Sequence, residues 1–167
     1  MVMISGKIRT AFNEQIKNEL ESAYLYLSMA AYFHSQSLDG MAQWMRVQTQ
    51  EEIVHAMKFF DHIKDREGRV ELLPLAVLKK EWASPLKAFQ HALKHEQLVT
   101  SKITELVNLA QEENDQSAST FLEWFVKEQE EEEESASKNV ELLEKAEGST
   151  EALRAVDQEL GKRTLSD

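Results

Sequence analysis

The sequence contains no cysteine. That excludes disulfides, thiolate zinc sites, cysteine-ligated iron–sulfur clusters and cysteine nucleophiles. Glycine and proline are scarce, five and two among 167 residues, and most stand where a helix should stop. Basic residues are in deficit: 19 Lys and Arg face 30 Asp and Glu, a net charge of −11. Such a chain is poorly suited to phosphate-backbone binding, so no nucleic-acid partner is expected. Its surface should attract cations instead. Long hydrophobic runs are also missing. The longest nearly apolar stretch, Ala23 to Phe33 interrupted by Ser28, is far too short to cross a bilayer, and no membrane association is expected. Before it, Lys7, Arg9 and Lys17 are offset by Glu14, Glu19 and Glu21. No export signal is read there, and a cytoplasmic location is expected.

What is present is an ordinary globular composition, 42% hydrophobic and 29% charged, expected to form one domain over 1–167. Between Gly40, Gly68, Pro74, Pro85, Gly148 and Gly161 the chain is rich in good helix formers. The punctuation predicts five helices, roughly 5–36, 39–66, 85–111, 115–146 and 149–161. Ser84 before Pro85 reads as an N-cap followed by proline at the first helical position. Asn114-Asp115 reads as a turn, and Ser149 as a cap for the last helix. Val70–Leu78 is apolar, but Pro74 interrupts it and no strand is assigned. Short connections join the first two and the next two helices. About 17 residues separate the pairs, enough to run the length of a bundle. The expected fold is all-α: a four-helix bundle with one long crossover and a short fifth helix.

The buried stripes carry an anomaly. At 100° per residue the first helix should bury Ile8, Phe12, Ile16, Ala23, Leu27 and Ala30, with Glu19 among them. The second should bury Met41, Met45, Ala56, Phe59 and Ile63 together with Gln48, Glu52 and His55. The third carries Glu96 among Phe89, Ala92, Val99, Ile103, Leu106 and Ala110. The fourth carries Glu132 among Phe121, Phe125, Ala136 and Leu143, with Glu128 and Gln129 at the edge. A single buried carboxylate costs several kcal/mol unless compensated. Four converging would repel one another and take up protons. Only Lys102 approaches these stripes as a possible counter-ion. Metal ions are the available cations, and four carboxylates balance two divalent ions. Glu52-x-x-His55 places a carboxylate and an imidazole one turn apart, able to share one ion. Oxygen and imidazole ligands suit iron or manganese, with zinc or copper as competitors.

These segments, read together, resemble the non-haem ferritins of bacteria and archaea. The resemblance rests on Asn18-Glu19-Leu20 with Tyr24-Leu25-Tyr26, on Gln50-Glu51-Glu52-Ile53-Val54-His55-Ala56-Met57, on Lys94-His95-Glu96-Gln97, and on Phe121-Leu122-Glu123-Trp124-Phe125-Val126 running into Glu128-Gln129-Glu130-Glu131-Glu132. It spans essentially the whole chain. It implies a shell of 24 subunits that oxidises ferrous iron with O2 or H2O2 and stores the ferric mineral. Carried over, Glu19, Glu52 and His55 match the first iron site. Glu52, Glu96 and Glu132 match the second, with Gln129 alongside, where the symmetric pattern has Glu-x-x-His. Glu51, Glu128 and Glu131, sharing Glu132, match a third iron site of some members. Tyr26 and Trp124 match aromatic residues beside the diiron pair. Bacterioferritins place a haem-ligating Met where this chain has Ile53, so no haem is expected. The stripe Ala152, Leu153, Val156 and Leu160 is expected to be buried between subunits, because the four-helix core should already be closed.

Blander readings exist for each residue singly. A lone Glu19 or Glu96 is usually a solvated helix residue, and the run Glu130–Glu134 a solvated acidic face. The competing functions are a diiron oxidase acting on an organic substrate, a DNA-protecting mini-ferritin, and a structural bundle without metal.

Overall fold

A computed structural model describes residues 3–76 and 79–165, and residues 77 and 78 of the apolar Val70–Leu78 stretch lie outside them. Five helices follow in order: α1 (Gly6–Ser35), α2 (Asp39–Asp65), α3 (Pro85–Glu112), α4 (Gln116–Lys145) and α5 (Thr150–Leu160). Four start on a side-chain cap. Ser5, Ser84, Asp115 and Ser149 accept hydrogen bonds from the backbone N–H groups of Ile8, Lys87, Ala118 and Ala152, at 3.0–3.3 Å. These satisfy N–H groups that a helix start leaves unpaired. α2 starts at Leu38, whose side chain makes no cap bond. Asp157 of α5 does that work, accepting from Met41 N–H at 2.8 Å.

The crossover 66–84 is tied to α1 along its length. Asn13 Oδ1 accepts from Glu71 N–H at 2.9 Å, Glu21 Oε1 from Ala76 N–H at 2.9 Å, and Ser28 Oγ donates to the Lys79 carbonyl at 2.7 Å. The positions on both segments rise together, so the crossover runs parallel to α1. α2 therefore finishes at one end of the bundle and α3 begins at the other, and the two run parallel. This is the one-crossover four-helix bundle.

The apolar core forms two clusters. One gathers Met29, Phe33, Met41, Met45, Phe89 and Leu143. The other gathers Phe12, Ile16, Phe59, Ile63, Ile103, Leu122 and Phe125. On α1 the first takes residues 25–33 and the second residues 8–16. Glu19 lies between them. The same break recurs on α2 between Met45 and Ala56 and on α3 between Ala92 and Val99. A polar layer thus crosses the bundle at mid-length.

Two expectations need correction. Leu27 is 47% exposed. It lies roughly 90° round from the centre of the buried stripe, which passes instead through Tyr26, Met29 and Phe33. Leu27 lines an external groove with Tyr24, Ala31 and Ala76. The premise that four helices close the core by themselves does not hold either. Leu160 is buried, and Leu153 and Val156 pack on the first apolar cluster. The four helices leave that end of the core open, and α5 closes it. The approach is close because Gly40 has no side chain: a Cβ there would lie 1.8 Å from the Asp157 carbonyl oxygen.

Candidate metal centre

Each helix of the bundle delivers polar side chains to the layer between the clusters. α1 supplies Glu19, α2 supplies Glu52 and His55 one turn apart, α3 supplies Glu96, and α4 supplies Gln129 and Glu132. All are buried, none more than 6% exposed. Helical periodicity explains the placement, because each occupies a position of its helix's apolar stripe. Three groups offer ligand atoms lying within 4.8 Å of one another: Glu19 with Glu52 and His55; Glu52 with Glu96 and Glu132; His55 with Glu128 and Glu132. Glu52 belongs to the first two and joins them. All these residues come from one chain.

Glutamines hold the carboxylates. Gln15 Nε2 donates to Glu19 Oε1 at 2.8 Å. Gln48 Nε2 donates to both Glu52 Oε1 and Glu132 Oε2 at 2.9 Å. Gln129 Nε2 donates to Glu96 Oε2 and Thr100 Oγ1, each at 3.2 Å. The Tyr26 hydroxyl donates a short hydrogen bond to Glu96 Oε1. Two acceptors accept no hydrogen bond although fully buried, Glu19 Oε2 and Gln48 Oε1. Buried acceptors without a donor are costly, and a cation among these carboxylates would supply the missing partner.

The electrostatics point the same way. Burial, and then the Glu96 charge, raises Glu132 to about 8. Burial raises Glu96 to about 6, against the hydrogen bonds from Tyr26 and Gln129. Glu52 is pushed well above the ordinary carboxylate range, first by burial and then by Glu96. Burial alone would lower His55, but Glu128, Glu19 and Glu52 outweigh it and hold the imidazole protonated. His55 Nδ1 lies 3.3 Å from Glu52 and 3.8 Å from Glu19, and Nε2 lies 3.6 Å from Glu128. The imidazolium is an internal counter-ion for the cluster. The carboxyl groups thus retain protons that a metal ion would displace, and their oxygens with the imidazole are a donor set suited to a hard or borderline cation.

The remaining expected residues are placed less centrally. Glu128 is drawn to His55. Glu51 and Glu131 join none of the three groups. Glu51 is paired with Arg163 at 2.5 Å, and the exposed Glu131 lies 3.9 Å from Lys127. Trp124 packs edge-on to His55, ring centroids 5.5 Å apart, with Lys58 over its outer face. Ile53 is exposed. Lys102 reaches the layer only indirectly, donating to Asn18 Oδ1 at 3.0 Å, while Asn18 donates to Gln15 at 3.0 Å. Sequence reasoning missed Gln15 and the bridging role of Gln48. Their signal was a shared spacing: Gln15 and Gln48 each precede a cluster glutamate by one helical turn.

A family model described as a ferritin-like domain matches residues 9–146. A bacterial non-heme ferritin of Bacteroides fragilis (strain 638R) is 38% identical over 161 residues, covering 96% of this chain and all of that protein. Another, from Staphylococcus aureus (strain USA300), is 32% identical over 165 residues and covers 99% of both. Among solved structures, an open-pore ferritin from the hyperthermophilic archaeon Archaeoglobus fulgidus superposes with a TM-score of 0.95 at 50% identity, over 96% of this chain and 99% of that one. An engineered closed form of the same ferritin gives 0.96 at 49% identity, over 98% and 99%. With the mid-bundle carboxylate layer and the one-crossover topology already in place, these likenesses show that the chain belongs to the ferritin family, among its non-haem bacterial and archaeal members.

Proposed function

We propose that the protein is an iron-storage ferroxidase, acting as one ferritin-like domain over 1–167 within a homo-oligomeric shell of 24 subunits. The observation that carries this reading is the pair of ligand groups joined by Glu52, one of them containing His55 and Glu19, whose Oε2 accepts no hydrogen bond. Glu19, Glu52 and His55 hold the first ferrous ion. Glu52, Glu96 and Glu132 hold the second, with Gln129 positioning Glu96. Each ferrous ion gives up one electron. With O2 the pair yields two ferric ions and H2O2, consuming two protons; with H2O2 it yields two ferric ions and two waters, again consuming two protons. Tyr26, hydrogen-bonded to Glu96, and Trp124, packed on His55, stand where each can supply one further electron, so that two iron electrons, these two and four protons would carry O2 to two waters. The ferric product then leaves for storage.

The pocket reaching this layer favours iron over an organic substrate. It has a volume of about 270 Å³ and is lined by Glu51, Glu128, Glu131 and Glu132, an acidic entrance that draws in cations. The external groove around Leu27, with a volume of about 690 Å³, supplies an apolar face for subunit contact. Among the described residues no helix is long and apolar enough to cross a membrane. Aerobic loading with ferrous iron, followed by sizing and iron analysis, tests the reading. Iron should elute with a shell-sized species and exceed what the diiron sites hold. A small oligomer retaining two irons or fewer per subunit would overturn it.

A further inference from the structure

Beyond the buried pair, the acidic pocket holds a cation that the chain itself supplies. Arg163 follows α5, and its Nη2 lies 2.5 Å from Glu51 Oε2. Two further contacts fix it: the guanidinium sits 4.2 Å over the Trp44 ring, and Nη1 donates to the Trp44 carbonyl at 3.4 Å. Trp44 belongs to the apolar core. Arg163 is therefore seated, not a freely moving surface side chain. Both partners are mostly buried, with side chains only about a fifth exposed. Arg163 lines the same pocket as Glu51, Glu128, Glu131 and Glu132. Two of these, Glu128 and Glu132, already form a ligand group with His55.

We infer that Arg163 is a specificity-determining residue, an internal cation that occupies the Glu51 end of the pocket and weakens the binding of a third divalent ion there. The inference rests on the proposal that the neighbouring layer takes divalent iron. The guanidinium and a divalent ion are both cations drawn to the same carboxylate, and their mutual repulsion in a half-buried pocket sets them in competition. With Arg163 in place, Glu51 has its charge balanced and its acceptor oxygen engaged. Without it, Glu51 and Glu128 face each other with His55 as the nearest remaining counter-charge, and a divalent ion offsets the added repulsion. Linkage makes the competition reciprocal: whatever Arg163 costs the third ion, the third ion costs the Arg163–Glu51 contact. The segment 161–165 thereby couples the end of α5 to ion loading beside the diiron layer.

The test counts zinc ions bound per subunit, by calorimetry and equilibrium dialysis, on the assembled protein. Zinc accepts carboxylate and imidazole ligands and has no redox chemistry, so the readout does not depend on oxidation. The variants are R163A, R163Q and R163A/E51Q. The parent should bind two ions tightly and a third weakly. R163A and R163Q should bind the third at least about tenfold more tightly. R163A/E51Q should return to the parental pattern. Residue 163 lies outside all five helices, and unchanged helicity in R163Q serves as the control should R163A loosen the tail. Two tight ions in every protein, with the same weak third, would overturn the role of Arg163 while leaving the diiron reading intact. No tight ion in parent or variants would overturn both.

Discussion

Asp157 of α5 accepts a hydrogen bond from the Met41 backbone N–H at 2.8 Å, so the fifth helix caps the second. The bond is possible because Gly40 lets the backbones meet. Asp157→Ala should cost about 1 kcal/mol, the usual loss of an N-cap. Gly40→Ala should cost about 1–3 kcal/mol through overpacking, since the new Cβ would fall 1.8 Å from the Asp157 carbonyl oxygen. Thermal denaturation ranks the two variants. A Gly40→Ala protein as stable as its parent would contradict the docking of α5 on its own subunit.

At the opposite end of the bundle, Arg66 reaches Asp115 at 2.8 Å, with side chains 3% and 9% exposed. Burial works against the Asp115 carboxylate, but the Ala118 N–H and the Arg66 guanidinium outweigh it and hold its pKa below the ordinary value. A depressed acid stabilises the fold fully above its unfolded pKa of about 3.9. That stabilisation is lost as pH falls through the lower folded value. Asp115→Ala should cost about 3–5 kcal/mol at neutral pH, because it removes the carboxylate that pairs with a buried guanidinium and the α4 cap with it. Urea unfolding at pH 7 checks this. A loss below about 1 kcal/mol would show the pair to be worth no more than a surface contact.

The metal-free protein should lose stability as pH rises from about 4.5 to 8, the reverse of the Asp115 effect. Folded Glu132 titrates near 8 and Glu96 near 6, whereas unfolded glutamates ionise near about 4.3. Between those values the folded state binds more protons, so raising the pH favours unfolding. His55, raised in the fold, acts in the same direction above its unfolded pKa. Bound divalent ions displace these protons, so their affinity should rise with pH and binding should release protons. Calorimetric melting in chelator across this range, and zinc binding in buffers of different ionisation heat, measure both effects. A metal-free melting temperature that climbs steadily to pH 8 would contradict the protonated layer.

Much of this was legible in the sequence because helices impose a period. The stripes of α2 and α3 follow 100° steps, and their apolar positions Met45, Phe59, Phe89 and Ile103 are buried. Glu52 and His55 could be placed by the same rule. Leu27 could not, since on α1 the stripe is wide and only packing decides its edge. The docking of α5 was hidden for another reason. It depends on the space at Gly40 and on an Asp157 bond to a residue over a hundred positions away, and no local pattern encodes either. The Arg163–Glu51 pair was hidden likewise: its partners are 112 residues apart. Gln48 stood on the buried stripe of α2, but its grip on Glu132 of α4 is a contact between helices. Periodicity gives the face a residue occupies and not its partner across the bundle.

Whether Glu52 joins two iron positions is measured most directly by stopped-flow oxidation. Two ferrous ions per subunit are mixed with aerated buffer, using the parent and Glu52→Ala. The substitution removes the one carboxylate shared by both principal groups. It should slow the fast phase by about 100-fold or more, at least the loss expected when a partner of a bound metal is removed. Helicity should be kept, and the metal-free variant should melt at or above the parental temperature, because a costly buried carboxylate is gone. Bound ions should raise the melting temperature of the parent more than that of the variant. Fast oxidation in Glu52→Ala at a rate close to the parent's would contradict the account.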